Sequence, residues 1–91
     1  MVDSYDVTIR VISQEGTCEA GHRVGDEWTI TAEDFKTPQG MCIYAFNAIF
    51  PFSQVLMYGG SFPRETLPDV TTVACPDPGN PVVFELKRRV I

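Results

Sequence analysis

The chain has few basic residues. Its 91 residues include seven Lys and Arg against twelve Asp and Glu, which gives a formal net charge of −5. A surface of that sign repels phosphate, so nucleic acid is not an expected partner. The one basic run, at residues 87–89, is short, and we expect it to be a solvated strand end.

Long apolar runs are also lacking. The longest candidate, residues 41–58, is interrupted by Asn47, Pro51, Ser53 and Gln54. It falls short of the about 18 consecutive apolar residues that a membrane-spanning helix needs. The N-terminus lacks the basic, apolar and small-residue order of a signal peptide. We therefore expect a cytoplasmic protein with no membrane partner.

Cysteine and histidine are scarce: the chain has three cysteines and one histidine. An odd number of cysteines argues against a disulfide framework, and a reducing compartment would keep the thiols free. The composition, 44% apolar and 11% aromatic, is sufficient for one hydrophobic core. The length is close to the about 100 to 150 residues of a typical domain, so residues 1–91 are expected to form a single domain.

Alternating apolar and polar residues predict four strands. They lie at residues 5–12, 27–31, 70–75 and 81–90. The last two flank a segment rich in Pro, Gly and Asn at residues 76–80, which predicts a hairpin.

Helical signals lie between the second and third strands. Thr31 followed by Asp34 is typical of a helix N-cap with an acidic first turn, and predicts a short helix that Pro38 ends. Residues 41–60 carry apolar residues at helical spacing and should end at two glycines, while Pro51 would kink the helix or begin a second one. The predicted fold class is α+β, a small antiparallel sheet of about four strands with one kinked or two short helices packed on one face.

The cysteines and the histidine form a candidate metal-ligand set. Zinc accepts three thiolates and one imidazole tetrahedrally, and thiolate-rich sites also suit iron. All four residues lie at predicted turns or element ends, where a ligand could work. The candidate ligands are Cys18, His22, Cys42 and Cys75. Asp26 and Asp77 are candidates for orienting these ligands by hydrogen bonds.

Other interpretations of the same residues stay open. The spacing lacks the paired-cysteine pattern of common zinc sites, and cysteine is often buried without any metal. His22 with Asp26 or Asp77 could act as a general base in an enzyme, or could activate Cys18 as a nucleophile. Alternatively, His22 only fixes its turn by a hydrogen bond, and Asp26 only caps the amides of the same turn.

A different class of function is suggested by the apolar segment 41–58. It carries apolar residues on nearly all sides, more than one sheet would cover. The alternative hypothesis is therefore a ligand-binding or accessory module without metal. Such a module would form a homo-oligomer, or dock on a protein partner such as an enzyme, through this segment.

Four sequence blocks together carry a family resemblance. They are "CEAGHRVGDEW", "GMCIYAFNAIFPF", "YGGSFPRE" and "VACPDPGNPVVFEL". In order and spacing they resemble a family of small, uncharacterised, single-domain bacterial and archaeal proteins that is frequent in anaerobes. The hallmarks of that family are a Cys-x₃-His, a Gly-x-Cys and a Cys-Pro-Asp element. They correspond here to Cys18, His22, Gly40, Cys42, Cys75, Pro76 and Asp77. The resemblance implies that these residues form a site, and it implies no particular reaction.

Overall fold

The computed structural model describes residues 4–89. Its elements are, in chain order, β1 (Val7–Gln14), β2 (Glu27–Ile30), α1 (Ile43–Met57), β3 (Val70–Ala74) and β4 (Val82–Arg88). The strands form one antiparallel sheet in the order β2-β1-β4-β3. The predicted α+β class and the predicted β3–β4 hairpin are confirmed.

Strand β1 lies at the centre of the sheet and pairs with both β2 and β4. Val7, Ile9 and Val11 are fully buried, as their alternation predicts. The pairing with β4 shifts register between Val11 and Ser13. This irregularity lets β1 continue to residue 14, past its predicted end at residue 12.

The other face of the sheet is polar. Arg10 lies directly opposite Glu27 on β2 and opposite Glu85 on β4. Opposite charges at facing positions of neighbouring strands stabilise a sheet. Helix α1 therefore packs on only one face, against β1, β3 and β4.

Helix α1 is one helix that continues through Pro51, so the alternative of two short helices is not what the structure has. Its buried residues include Ala45, Ile49 and Leu56, while Phe46, which shares their helical spacing, is only half-buried. Pro51 has no N–H to donate to the carbonyl of Asn47, four residues earlier. Asn47 is exposed, so water can donate a hydrogen bond to that carbonyl.

The end of α1 is fixed by two glycines, as predicted. The Gly60 N–H donates to the Val55 carbonyl at 2.8 Å, and the Gly59 N–H donates to the Leu56 carbonyl at 3.2 Å. Gly59 has φ +90°, a left-handed conformation that glycine adopts without strain. This bonding pattern is a Schellman motif, which satisfies the last carbonyls of the helix.

Arg88 corrects the expectation of a solvated strand end at residues 87–89. Its side chain is only 8% exposed and donates to Asp69 Oδ1 from Nε (3.0 Å) and Nη2 (2.7 Å). Nη1 donates to the carbonyls of Leu56 (3.1 Å) and Gly60 (2.8 Å), and the guanidinium stands 5.1 Å from the Tyr5 ring centre. One buried cation thus joins β4 to the end of α1.

The short helix predicted after Thr31 is wrong, because residues 31–40 form irregular turns. The capping bonds themselves are present: the Thr31 N–H donates to Asp34 Oδ2 at 2.7 Å, and the Glu33 N–H donates to Thr31 Oγ1 at 3.2 Å. Starting a helix is costly, and the segment before Pro38 is too short to recover that cost.

Arg64 fastens the loop at residues 61–69. Its Nη2 donates to Thr71 Oγ1 at 3.0 Å and to the Thr72 carbonyl at 3.2 Å. The guanidinium also stands 5.8 Å from the Phe52 ring centre and 5.7 Å from that of Phe62. The loop is thereby joined to the edge strand β3 and to α1.

Among residues 4–89, no helix is both long enough and apolar enough to cross a membrane, and α1 has only 15 residues.

Candidate functional site

The structure brings all four candidate ligands to one cleft of about 300 Å³. Cys18, His22, Cys42 and Cys75 line this cleft, which we call the thiol cleft. They come from the β1–β2 connection, the start of α1 and the end of β3. Cys42 and Cys75 are far in sequence from Cys18 and His22, and the sheet with its packed helix brings them together.

Cys18 lies in the connection between β1 and β2. The Thr17 N–H donates to Asn80 Oδ1 at 2.9 Å, which ties this connection to the turn between β3 and β4. Gly16 has φ +68°, and a Cβ atom there would overlap the Asn80 side chain. Glycine is therefore required at residue 16 both by conformation and by space.

Cys42 occupies the N-cap position of α1. Serine, threonine, aspartate or asparagine is usual there, because their oxygen accepts a backbone N–H of the first turn. The Cys42 side chain makes no such cap bond. Its half-buried sulfur is therefore not engaged in capping and lines the cleft.

Cys75 directly follows β3. Its N–H donates to the Val82 carbonyl at 2.9 Å, and its Sγ accepts the Val82 N–H at 3.2 Å. The turn that follows is closed by Asp77, whose Oδ1 accepts the N–H groups of Gly79 (3.1 Å) and Asn80 (3.2 Å). The position of the sulfur is thus set by a hydrogen-bonded hairpin.

His22 is 4% exposed. Its Nε2 accepts the Cys42 N–H at 3.0 Å, and its ring packs edge-on against Trp28 (5.1 Å between centroids) and Phe84 (6.1 Å). A backbone N–H can only donate, so Nε2 is the unprotonated nitrogen and the neutral ring carries its proton on Nδ1. His22 therefore holds the start of α1 against the β1–β2 connection.

The two candidate orienting carboxylates differ in position. Asp77 lines the thiol cleft, whereas Asp26 is not among the residues that line it. Asp26 Oδ2 accepts the Arg23 N–H at 3.0 Å and closes the turn before β2. Asp26 therefore makes the turn-capping bond that the alternative without a site role predicts for it.

Within residues 4–89, no three His, Cys, Asp or Glu side chains stand as a group that could hold a metal ion. The three cysteines are free thiols and half-buried. A cysteine side chain has one rotatable bond that moves its sulfur. To bind one ion, the three sulfurs would have to converge from the positions that the structure describes.

The sequence predicted the three cysteines, His22 and Asp77 of the cleft, but not the side chains that support them. Nothing in the sequence indicated that Trp28 and Phe84 pack on the His22 ring. The bond from the Val82 N–H to Cys75 Sγ was also missed. The predicted hairpin placed Val82 beside Cys75, so that contact could have been anticipated. The aromatic contacts depend on long-range packing and have no local signal.

No family model matches the chain, and no curated protein and no solved structure was found to match it. The family resemblance of the four sequence blocks therefore stays a prediction.

Proposed function

We propose that this protein binds a thiophilic metal ion through the sulfurs of Cys18, Cys42 and Cys75. The observation that carries the proposal is the arrival of three free, half-buried thiols from separate parts of the chain in one cleft. Sulfur donors suit zinc, iron–sulfur clusters and monovalent copper. Such a role fits a reducing compartment such as the cytoplasm, where thiols stay reduced.

In this proposal His22 positions a ligand and is not itself one. The sequence suggested an imidazole ligand, but the Nε2 lone pair accepts the Cys42 N–H and the ring is packed between aromatic side chains. Coordination through Nε2 would break that bond. The three sulfurs are therefore the proposed donor set.

The surroundings of the cleft support ligand binding without large rearrangement. Cys75 and Cys42 sit at ends of hydrogen-bonded elements, and Cys18 is held through its neighbour Thr17 and Asn80. Coordination then requires the three sulfurs to converge on one ion. Because the thiols must lose protons to bind, the affinity should fall as the pH is lowered.

A metal titration under reducing conditions tests the proposal. The protein is titrated with Zn²⁺, Fe²⁺ or Cu⁺ against a coloured chelator, beside Cys18→Ser, Cys42→Ser and Cys75→Ser. The matched control is Asp26→Asn, which alters a carboxylate outside the cleft. We expect one ion per chain in the parent and control, and at least about tenfold weaker binding in each cysteine variant, since loss of a residue that only orients a ligand already has such an effect. The proposal would be overturned if the parent protein bound the ion no more tightly than the three cysteine variants do.

A second candidate function is self-association through another groove of about 470 Å³, between residues 30–37 and α1. Phe35 beside it is 93% exposed, and Ile43 on its wall is 65% exposed. Asp34 and Lys36 flank Phe35 with opposite charges, so two copies related by a twofold axis could exchange both the aromatic ring and the ion pairs.

Light scattering over a range of concentrations tests self-association. A dimer that Phe35→Ser dissociates would support it. A monomer at every concentration, with Phe35→Ser unchanged, would contradict it. A monomer that binds another protein through this groove would indicate the docking module instead.

A further inference from the structure

We infer that the thiol cleft takes a monovalent soft cation of the Cu⁺ type, held by three thiolates. This inference rests on the proposed metal binding and narrows the kind of metal. It follows from the number of donors that the cleft provides.

Three protein sulfurs leave zinc in need of a fourth ligand, from water or a side-chain oxygen, and leave an iron–sulfur cluster one cysteine short. Structural zinc is almost always bound by four protein ligands. Iron–sulfur clusters are typically held by four cysteines. Monovalent copper prefers soft sulfur donors and, with a filled d shell, has no ligand-field demand for a fourth ligand.

The nearest candidates for a fourth donor are already engaged. His22 Nε2 accepts the Cys42 N–H. Both carboxylate oxygens of Asp77 accept hydrogen bonds, Oδ1 from backbone N–H groups and Oδ2 from Asn80 Nδ2 at 3.4 Å. Asn80 Oδ1 accepts the Thr17 N–H at 2.9 Å. Nε2 of His22 has one lone pair, so its recruitment would break the bond from the Cys42 N–H. The oxygens of Asp77 and Asn80 are hard donors that suit monovalent copper poorly.

Two oxygen donors at the cleft remain, the Glu19 carboxylate and the Tyr44 hydroxyl. Both side chains belong to exposed residues, and Tyr44 is 72% exposed. Oxygen is a hard donor that suits zinc better than monovalent copper. Zinc with Glu19 as a fourth ligand is therefore the competing outcome.

The remaining wall of the cleft is apolar. Ala20, Ala45, Pro76 and Val82 offer no side-chain donor. An apolar wall limits the access of water and oxidants to a bound ion.

Anaerobic competition between Cu⁺ and Zn²⁺ tests the inference, with X-ray absorption to count sulfur neighbours. Glu19→Gln removes the competing carboxylate, and Glu15→Gln, an exposed glutamate that is not among the cleft-lining residues, is the matched control. We expect an equimolar amount of Cu⁺ to displace Zn²⁺, three sulfur neighbours around copper, and no change in Cu⁺ affinity in either variant.

The failures are distinguishable. Retention of Zn²⁺ against Cu⁺, with an oxygen neighbour that Glu19→Gln removes, overturns this inference and leaves the proposed metal binding standing. Failure of the folded, reduced protein to bind either ion overturns both.

Discussion

The Nε2 atom of His22 accepts a hydrogen bond from the backbone N–H of Cys42 at 3.0 Å. This bond joins the β1–β2 connection to the first turn of α1. It also orients the only imidazole of the chain toward a backbone donor, with its edge against Trp28. The histidine thereby fixes the position of one thiol relative to the others.

The role of His22 can be separated from that of a metal ligand. His22→Phe keeps an aromatic ring but removes the acceptor, and leaves the part-buried Cys42 N–H without a partner. We expect a loss of about 1–3 kcal/mol in the free energy of unfolding, the usual cost of an unsatisfied buried donor. Urea denaturation measures it, and His22→Gln, which retains an acceptor, should lose less.

Metal titration of the same variants gives the second readout. His22→Phe should bind the ion with lower affinity but unchanged stoichiometry, because all three sulfurs remain. If the folded His22→Phe protein binds no metal, the imidazole is a ligand and the positioning role is wrong.

Gly16 should affect both stability and the site. Gly16→Ala adds a methyl group where the Asn80 side chain lies, and Asn80 holds the segment next to Cys18. Gly21 also has positive φ (+80°), but nothing lies within 4 Å of its would-be Cβ. Gly21→Ala therefore carries the backbone strain alone, about 1 kcal/mol.

The difference between these two variants reports the contact with Asn80. We expect Gly16→Ala to be about 1–3 kcal/mol less stable than Gly21→Ala, in the range of overpacked sites, and to bind metal more weakly. Equal stabilities in thermal or urea unfolding would show that the contact does not constrain the cleft.

Arg88 is expected to be a major contributor to stability. Arg88→Met leaves Asp69 and the Gly60 carbonyl without their side-chain donor, and leaves the Leu56 carbonyl with the Gly59 N–H alone. We expect the free energy of unfolding to fall by about 2–4 kcal/mol. This is at the lower side of the values for broken buried ion pairs, because Asp69 is 37% exposed and partly solvated.

The adjacent residue provides the control for Arg88. Arg89 is exposed, so Arg89→Met should change the free energy of unfolding by no more than about 0.5 kcal/mol. Similar urea midpoints for the two variants would contradict the anchoring role of Arg88.

Local patterns in the sequence predicted much of the fold. In the strand predicted at residues 81–90, alternation puts Val82, Phe84 and Leu86 on one face, and all three are buried. The same alternation places Arg88 on the inward face. Its burial was therefore predictable from the two-residue period of the strand, had that period been given more weight than the charge of the side chain. In contrast, the capping residues Thr31 and Asp34 formed their bonds without a helix, because capping does not ensure that a helix propagates.

The candidate site was predictable in its members but not in their roles. Cys42 and Cys75 could be placed at element ends from turn residues alone. That His22 Nε2 would face the Cys42 N–H depends on how α1 packs on the sheet, which no local pattern encodes. The exposed positions of α1, such as Ile43 and Tyr44, likewise depend on which face the sheet covers.

The central claim is that three thiols can meet at one point, and arsenite tests it most directly. Arsenite, As(OH)₃, condenses with three thiols to give three As–S bonds and three waters, with no change in oxidation state. In native mass spectrometry of the reduced, folded protein, we predict one adduct heavier by one arsenic atom less three hydrogens, and its loss in each single Cys→Ser variant. A folded protein that keeps its unmodified mass, or forms only adducts retaining a hydroxyl on arsenic, would contradict the claim.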